Sequence, residues 1–423
     1  MFSRIRYSFF ICSGFVLGLV LLGLRSNSIG SIEHLYSHQE YSQDLSKIYH
    51  DLGALSVKRN DHSKAIKSYT EAIKTKPDYL EAYDALGLIY EKSGNQNEAL
   101  KIYLQAMNED PNFIECRVCK DLDAIKTAPN ADYEKLSKKI STQSEWEGQD
   151  LHDKTMYVYA EKGLGDSIQF ARFLPALAAH ADKVYFKPQK PLTELFKQTY
   201  TDPKIVILDA SANPDDLTFD YYSSLLGVAR YLDVTPKTLP GTTKYFTVAQ
   251  ETIEKFKNTV FQNDEKFLKV GLVWQGDPGH INDKNRSIPL AYFSKLFSIP
   301  NVKVYSLQKG FGREQIAQLQ NPKTMYDLDH YISDFTDTVA AIENLDLVIT
   351  ADTAVAHLSG ALGKPTWILL PHVTDWRWFM YAEGDTSCWY ASLTKFRQET
   401  PGDWHTVIDR VSKKITTLAT TLK

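Results

Sequence analysis

Polar residues follow a buried apolar run late in this chain, at a spacing that suits anion binding. Residues 345–350 predict a buried parallel strand, residues 354–362 a helix of small side chains, and residues 366–370 a second buried strand. The unpaired N–H groups and the dipole at a helix start favour negative charge, so the turn predicts a phosphate site. Ordinary sheet packing explains the same pattern in many α/β proteins. The candidate residues are Asp352, Thr353, Ala354 and His357.

Two further predicted strands, residues 269–274 and 302–307, end in polar loops with basic side chains. Such loops are often merely solvated, but cations that face a helix start would bind a diphosphate and stabilise its growing charge as it leaves. Neither loop contains Asp-x-Asp, which favours Arg and Lys over a divalent metal, and we expect no metal or other cofactor. The candidate residues are Lys284, Arg286, Gln308 and Lys309.

A carboxylate follows the first strand of the alternating region, residues 156–160. Gly163 and Gly165 precede Asp166 at the start of a predicted helix, and they would let a substrate approach the backbone. Asp166 is either a helix cap or a general base that takes a proton from an attacking hydroxyl.

Strands and helices alternate from about residue 155 to a helical tail at residues 404–422. This alternation predicts an α/β fold of two doubly wound, Rossmann-like lobes, at residues 146–245 and 246–423. The carboxyl ends of both sheets would then border one cleft. Ligands bind in such a cleft, so the candidate residues of both lobes should meet there.

A 34-residue period within residues 40–145 is typical of tetratricopeptide repeats. We expect two antiparallel helix pairs, at about residues 46–76 and 80–110, with Gly87 and Ala99 allowing close helix approach. A peptide-binding groove and a purely structural block are both open interpretations. The matching positions are Tyr49, Leu52, Gly53, Ala65, Tyr69, Ala72 and Pro77 in one copy, and Tyr83, Leu86, Gly87, Tyr90, Gly94, Ala99, Tyr103, Ala106 and Pro111 in the other.

Composition excludes some classes of partner. The 423 residues are 43% hydrophobic and 24% charged, with a net charge of −4 and a pI near 6.3, so a nucleic-acid partner is not expected. The four cysteines indicate neither a disulfide framework nor zinc spacing, because Cys116 and Cys119 form a lone pair.

Five motifs stand out beyond Trp146. They are Glu161-Lys-Gly-Leu-Gly-Asp166-Ser-Ile-Gln-Phe-Ala-Arg172-Phe, Gly271-Leu-Val-Trp-Gln-Gly, Asn285-Arg286-Ser-Ile-Pro289, Asp352-Thr-Ala-Val-Ala-His357-Leu and Asp375-Trp-Arg-Trp378. Together they resemble the family-nine, heptosyltransferase-like glycosyltransferases of the two-lobed GT-B class. The resemblance implies an inverting, metal-independent transfer from a nucleotide sugar, with Asp166 as general base and Arg286 where heptosyltransferases usually have Lys. It places the nucleotide diphosphate at Asp352, Thr353, Ala354 and His357, and the acceptor loop at Gly163, Gly165 and Arg172.

The repeats and the Asp375-Trp-Arg-Trp378 motif depart from heptosyltransferases and argue against a lipopolysaccharide-core acceptor. By architecture alone, the chain also resembles O-linked N-acetylglucosamine transferases and flagellin-modifying enzymes, whose repeats present a protein acceptor. We therefore expect a protein or cell-surface glycan acceptor, with the repeats aiding acceptor or partner binding. The alternative is a repeat scaffold whose lobes have lost catalysis and mediate protein interactions.

Residues 8–24 are uncharged and follow Arg4 and Arg6, which predicts a membrane anchor or uncleaved signal within residues 1–28. The positive-inside rule would send the lobes across the membrane. In a bacterium that side lacks nucleotide sugars, so we expect catalytic lobes on the cytoplasmic face instead.

Overall fold

The structure is a computed structural model that describes residues 38–93, 95–109, 142–161, 163–232, 239, 244–280, 282–319, 325–372, 374–378 and 385–421. The predicted membrane segment, residues 8–24, lies outside the described residues, as does the Cys116 and Cys119 pair. Within the described ranges, no helix combines the length and apolar character needed to cross a membrane. The chain divides after Asp110 into two compact units.

The first unit consists of helices paired by close contact between glycine and tyrosine. A Cβ atom on Gly87 would lie 2.1 Å from Cε1 of Tyr103, and one on Gly53 would lie 2.6 Å from Cε1 of Tyr69. Only glycine fits at these two positions, because both tyrosine rings are buried. The close helix approach predicted at Gly87 is confirmed. The helices are α1 (His38–Lys58), α2 (His62–Thr75), α3 (Leu80–Lys92) and α4 (Gln96–Glu109).

The second unit begins with a five-stranded parallel sheet in the order β1-β5-β2-β3-β4. Buried apolar residues occur at alternate positions of β3, at Val184 and Phe186. Helices α5 and α6 join β2 to β3 through a 3₁₀ turn, Ala171–Phe173. The elements are β1 (Ser144–Glu145), β2 (Thr155–Tyr159), α5 (Leu164–Phe170), α6 (Leu174–His180), β3 (Lys183–Lys187), α7 (Thr193–Thr199), β4 (Ile205–Ile207), β5 (Tyr221–Ser224) and α8 (Leu225–Tyr231).

A six-stranded parallel sheet follows in the order β11-β10-β9-β6-β7-β8. Strands β9 and β10 are buried along their whole length, which matches their continuous apolar sequence. The elements are α9 (Gln250–Val260), β6 (Leu268–Val273), α10 (Asp283–Arg286), β7 (Val302–Ser306), β8 (Met325–Asp327), α11 (Phe335–Glu343), β9 (Leu347–Ala351), α12 (Ala354–Ala361), β10 (Thr366–Leu370), β11 (Leu393–Arg397) and α13 (Trp404–Thr421).

The predicted arrangement of two lobes with parallel sheets is confirmed. In each sheet the strand order reverses beside the first long strand, between β2 and β5 in one lobe and between β6 and β9 in the other. Ligands of doubly wound folds bind at the carboxyl ends of strands next to such a reversal. Asp166 lies in the first turn of α5, which follows β2; Arg286 ends α10, which follows β6; and Asp352 lies in the turn after β9.

Candidate functional site

The turn between β9 and α12 has the form predicted from the sequence. Thr353 is extended and caps the helix, with its Oγ1 atom accepting from the backbone N–H of Val355 at 3.3 Å. A second hydrogen bond joins the hydroxyls of Thr353 and Thr350 at 3.1 Å and fixes the cap. The first N–H groups of α12 therefore lie beside Asp352, and such a helix start favours negative charge.

Arg286 reaches this turn from the loop after β6. Its Nη1 atom donates to the backbone oxygen of Asp352 at 2.9 Å, and its Nε atom donates to Oδ1 of Asp283 at 3.3 Å. Asp283 is itself held by the Ser287 hydroxyl at 2.8 Å. The guanidinium is only 14% exposed and is therefore positioned by the protein. Lys284 lies exposed on the same short helix and forms no ion pair with any residue that the structure describes.

Gln308 and Lys309 are placed differently from the donor-binding role expected for them. The buried Gln308 side chain accepts from the N–H groups of Trp274 and Gln275 and donates to two carbonyls, so it braces the ends of β6 and β7. The Lys309 ammonium pairs with the Asp329 carboxylate at 2.7 Å and donates to two backbone oxygens. Both side chains are thus already engaged within the second lobe.

Asp166 does not cap its helix. The cap position of α5 is Gly163, which has no side chain to make a capping bond, and Asp166 is the third helical residue. A Cβ atom on Gly163 would lie 2.1 Å from Oδ2 of Asp166, so the glycine leaves room for this carboxylate. The other oxygen, Oδ1, accepts from Nη2 of Arg377 at 2.6 Å. The carboxylate is 30% exposed and keeps access to the cleft.

Arg377 is the site residue to which sequence reasoning assigned no role. It lies in a 3₁₀ turn, Trp376–Trp378, and joins the two lobes through three side chains. Besides Asp166, it donates from Nε to Oε1 of Gln169 at 2.9 Å and from Nη1 to Oδ1 of Asp375 at 3.0 Å. The only sequence signal was the Asp375-Trp-Arg-Trp378 motif, which does not indicate a partner 211 residues away.

His357 packs at the contact between the lobes. A Cβ atom on Gly165 would lie 2.9 Å from Cδ2 of His357, so the glycine permits the helices α5 and α12 to approach. The Nδ1 atom of His357 hydrogen-bonds the Tyr390 hydroxyl at 2.9 Å, and the ring lies 5.0 Å from that of Trp378. Gly165 therefore serves lobe contact in this structure, although the sequence had indicated room for substrate at this position.

Arg172 does not lie in an acceptor-facing loop, which corrects the expectation from the sequence. Its side chain is buried at 2% exposure. The guanidinium donates to the backbone oxygens of Gln169 and Trp389 and to the Tyr245 hydroxyl at 3.0 Å. It also lies 4.8 Å from the centre of the Tyr390 ring. These contacts place Arg172 in the packed interface between the lobes, where it stabilises their arrangement.

Burial and nearby charges shift the pKa values of Asp352 and His357. Burial, with help from Asp375, raises the pKa of Asp352 from 3.8 to about 6, while Arg286 and the Trp378 indole oppose the rise. Burial also lowers the pKa of His357 well below its ordinary value, and the nearby cations Arg377 and Arg172 add to this effect. His357 is therefore neutral at pH 7 and acts as a hydrogen-bonding side chain.

Burial by itself would lower the pKa of Arg377. The carboxylates of Asp375 and Asp166 outweigh that effect and raise it above its ordinary value. Arg377 therefore carries a permanent positive charge between the lobes. In the part of the chain that the structure describes, no group of three or more His, Cys, Asp or Glu residues could hold a metal ion.

Comparisons with known proteins support the repeats directly. A family model described as a TPR repeat matches residues 53–94, and one described as a tetratricopeptide repeat matches residues 80–113. The predicted tetratricopeptide repeats are thus confirmed. The chain is also 24% identical to Protein FlbA of Caulobacter vibrioides over 292 residues, which cover 63% of this chain and 47% of FlbA. The chain therefore spans about half the length of this curated relative.

Solved glycosyltransferases are similar to the chain at low sequence identity. E. coli ADP-heptose lps heptosyltransferase II is 13% identical with a TM-score of 0.46, over 63% of this chain and 99% of the other. The glycosyl transferase family 9 protein from Veillonella parvula is 12% identical with a TM-score of 0.46, over 65% of this chain and 98% of the other. Both proteins bear names of the family that the sequence motifs resemble.

Proposed function

We propose that the second unit is an inverting, metal-independent glycosyltransferase that moves a sugar from a nucleoside-diphosphate donor to an acceptor hydroxyl. One observation supports this more than any other. Helix α5, which carries Asp166, packs against the capped start of α12 from the other lobe, with Arg286 at 2.9 Å from the backbone oxygen of Asp352 and Arg377 at 2.6 Å from Asp166. A carboxylate that faces an anion site suits acid–base transfer from a charged leaving group.

In this proposal the donor diphosphate binds the first N–H groups of α12, beside Thr353, and Arg286 neutralises part of its charge. The acceptor oxygen attacks the anomeric carbon while Asp166 takes the hydroxyl proton. The bond between the anomeric carbon and the phosphate oxygen breaks, and the nucleoside diphosphate leaves with the bonding electrons. A single displacement of this kind inverts the configuration at the anomeric carbon.

The acceptor in this proposal is a protein or a cell-surface glycan, and the tetratricopeptide unit assists its binding. The support is the confirmed repeat pair, since such repeats commonly present helical surfaces to partner proteins. Substitutions in the repeats that weaken acceptor binding should then raise KM for the acceptor and leave the affinity for the donor unchanged.

A first experiment tests the donor site. Purified protein is titrated with UDP-, GDP-, ADP- and CMP-sugars, and binding is followed by thermal shift and calorimetry. We expect a diphosphate-linked donor to bind wild type and Asp166→Asn with similar affinity, and Arg286→Ala at least 10-fold more weakly, through loss of a charge-assisted contact of about 1.5–3 kcal/mol. Arg410→Ala, at a surface position on α13, is the matched control.

A second experiment follows release of the nucleoside diphosphate with the donor that binds. Release that requires Asp166 and continues in EDTA would support metal-independent catalysis. The proposal would be contradicted if a donor binds but no nucleoside diphosphate is released, either by transfer to an acceptor or by hydrolysis.

A non-catalytic scaffold is the second candidate, and it is favoured by a specific observation. Charged side chains of the site already have partners within the protein: Asp166 with Arg377, Arg286 with Asp283, and Lys309 with Asp329. A folded protein that binds no nucleotide sugar would favour this candidate.

A further inference from the structure

Arg377 contacts the proposed base from the opposite lobe, and hydrogen bonds hold its side chain in one orientation. All three of its side-chain nitrogens donate to side chains: Nη2 to Asp166 at 2.6 Å, Nε to Gln169 at 2.9 Å and Nη1 to Asp375 at 3.0 Å. Asp375 also accepts the backbone N–H of Arg377 at 3.0 Å. The guanidinium plane is thus fixed by acceptor oxygens at three corners.

The partners of Arg377 divide between the lobes. Asp166 and Gln169 lie on α5 in the first lobe, whereas Asp375 follows β10 in the second. The Oε1 atom of Gln169 faces Arg377, and its Nε2 atom is buried with no hydrogen-bond partner among the residues that the structure describes. Because an unpaired buried amide nitrogen is unfavourable, this orientation of Gln169 is consistent with a site shaped to hold Arg377.

We propose that Arg377 is a positioning residue, which fixes the Asp166 carboxylate for proton abstraction only when the two lobes are in contact. The inference rests on the proposed function. Arg377 is anchored to the donor lobe by Asp375, so lobe separation would remove it from Asp166. The carboxylate would then rotate freely about its side-chain bonds. In contact, one carboxylate oxygen is bound by Arg377 and the other, Oδ2, stays over Gly163, available for a proton.

The same arrangement gives the Asp375-Trp-Arg-Trp378 motif a function. Misplacement of a catalytic group by about 1 Å can lower a rate by about 100-fold. A contact that completes the base upon lobe closure would therefore protect a bound donor from premature hydrolysis while the lobes are apart. It would also couple donor-lobe position to acceptor activation.

The test compares Arg377→Ala and Arg377→Lys with wild type and with Arg410→Ala as the matched control. Arg410 lies on α13, pairs with the exposed Glu399 at 3.5 Å and donates to the backbone oxygen of Arg397, none of which belongs to the proposed site. The assay is steady-state release of nucleoside diphosphate from the sugar nucleotide that binds wild type, with donor Kd measured by calorimetry. Each variant is also assayed with added guanidinium chloride at non-denaturing concentration.

We expect Arg377→Ala to lower kcat by about 100-fold, with donor Kd changed less than 3-fold and kcat partly restored by guanidinium. Arg377→Lys should keep most of the defect, because a lysine cannot bind three acceptors in one plane. Arg410→Ala should behave as wild type. If Arg377→Ala does not fold, Arg377→Lys alone provides the kinetic test.

Two results would overturn the inference while leaving the proposed function intact. One is an active wild type with unchanged kcat in both Arg377 variants. The other is a loss of rate in Arg377→Ala that guanidinium does not restore and that Arg377→Lys fully repairs, which would indicate a need for charge alone. A folded wild type that binds donors but never releases nucleotide would overturn the proposed function, and the inference with it.

Discussion

Replacing Asp352 by asparagine should stabilise the protein at neutral pH. Asp352 is partly exposed but surrounded by protein, and burial together with Asp375 raises its pKa from 3.8 to about 6. The folded state therefore binds this proton more tightly than the unfolded state. Stability is greatest when the carboxyl is protonated, and it falls as the pH rises from about 4 through about 6. Above pH 7 the full unfavourable contribution of the ionised carboxylate remains.

The size of the effect follows from the pKa difference. The interval from 3.8 to about 6 corresponds to about 3 kcal/mol, at about 1.4 kcal/mol per pKa unit. Partial solvent exposure reduces this to about 2 kcal/mol. For a unit of this size, an increase of that amount in the free energy of unfolding corresponds to an increase in Tm of about 3–6 °C. Asparagine has nearly the same shape as aspartate, so it removes the charge with little change of packing.

The assay is thermal unfolding of wild type and Asp352→Asn from pH 4 to pH 8. We expect the Tm difference between them to be near its minimum at pH 4 and to grow to its full value by pH 7. Asp153→Asn is the control, because Asp153 is 85% exposed and its φ of 57° suits asparagine. A Tm difference that does not change with pH, or that falls as pH rises, would refute the reasoning.

Three further substitutions test the packing that positions the site. Gly87→Ala should destabilise the repeat unit by at least about 1–3 kcal/mol, because the added methyl would lie 2.1 Å from the buried Tyr103 ring; far-UV circular dichroism during unfolding measures this. Gly165→Ala should lower Tm by several degrees and weaken lobe contact, since His357 would have to move, and limited proteolysis would detect the looser lobes. Arg172→Met should destabilise the second unit by about 2–4 kcal/mol through lost buried hydrogen bonds, as measured by urea unfolding. Unchanged stability in any of the three would contradict the packing described for that position.

The local chemistry of each strand end could be predicted because it depends on neighbouring residues. The capping hydroxyl of Thr353 and the small residues of α12 lie within a few positions of each other, so their pattern indicates a strand, a turn and a helix. The meeting of Arg286 with this turn also follows from sequence, because parallel strands deliver their carboxyl ends to one edge. Short or polar strands such as β5 and β8 lack the continuous apolar run that signals a buried strand, and they were not predicted.

The exact partners of long polar side chains could not be predicted in this way. Gln308 was expected at the donor, yet its amide satisfies backbone groups of the neighbouring strand end, because such buried groups need partners that only the folded backbone defines. Lys309 pairs with Asp329, a residue brought close by the turn after β8. An arginine is usually expected at the protein surface, but aromatic rings from both lobes enclose the side chain of Arg172.

The position of Asp166 in the folded chain bears on two interpretations that the sequence leaves open. A carboxylate that capped its own helix would hold one of its oxygens on the first backbone N–H groups of α5. The cap position is Gly163 instead, and the carboxylate accepts a hydrogen bond from Arg377 of the other lobe. The bond from Arg377 engages only Oδ1 and leaves Oδ2 over Gly163, whereas a capping bond is part of the helix itself. The inter-lobe position of this pair, more than the presence of an aspartate in the turn, is therefore the basis on which we propose general-base chemistry for Asp166.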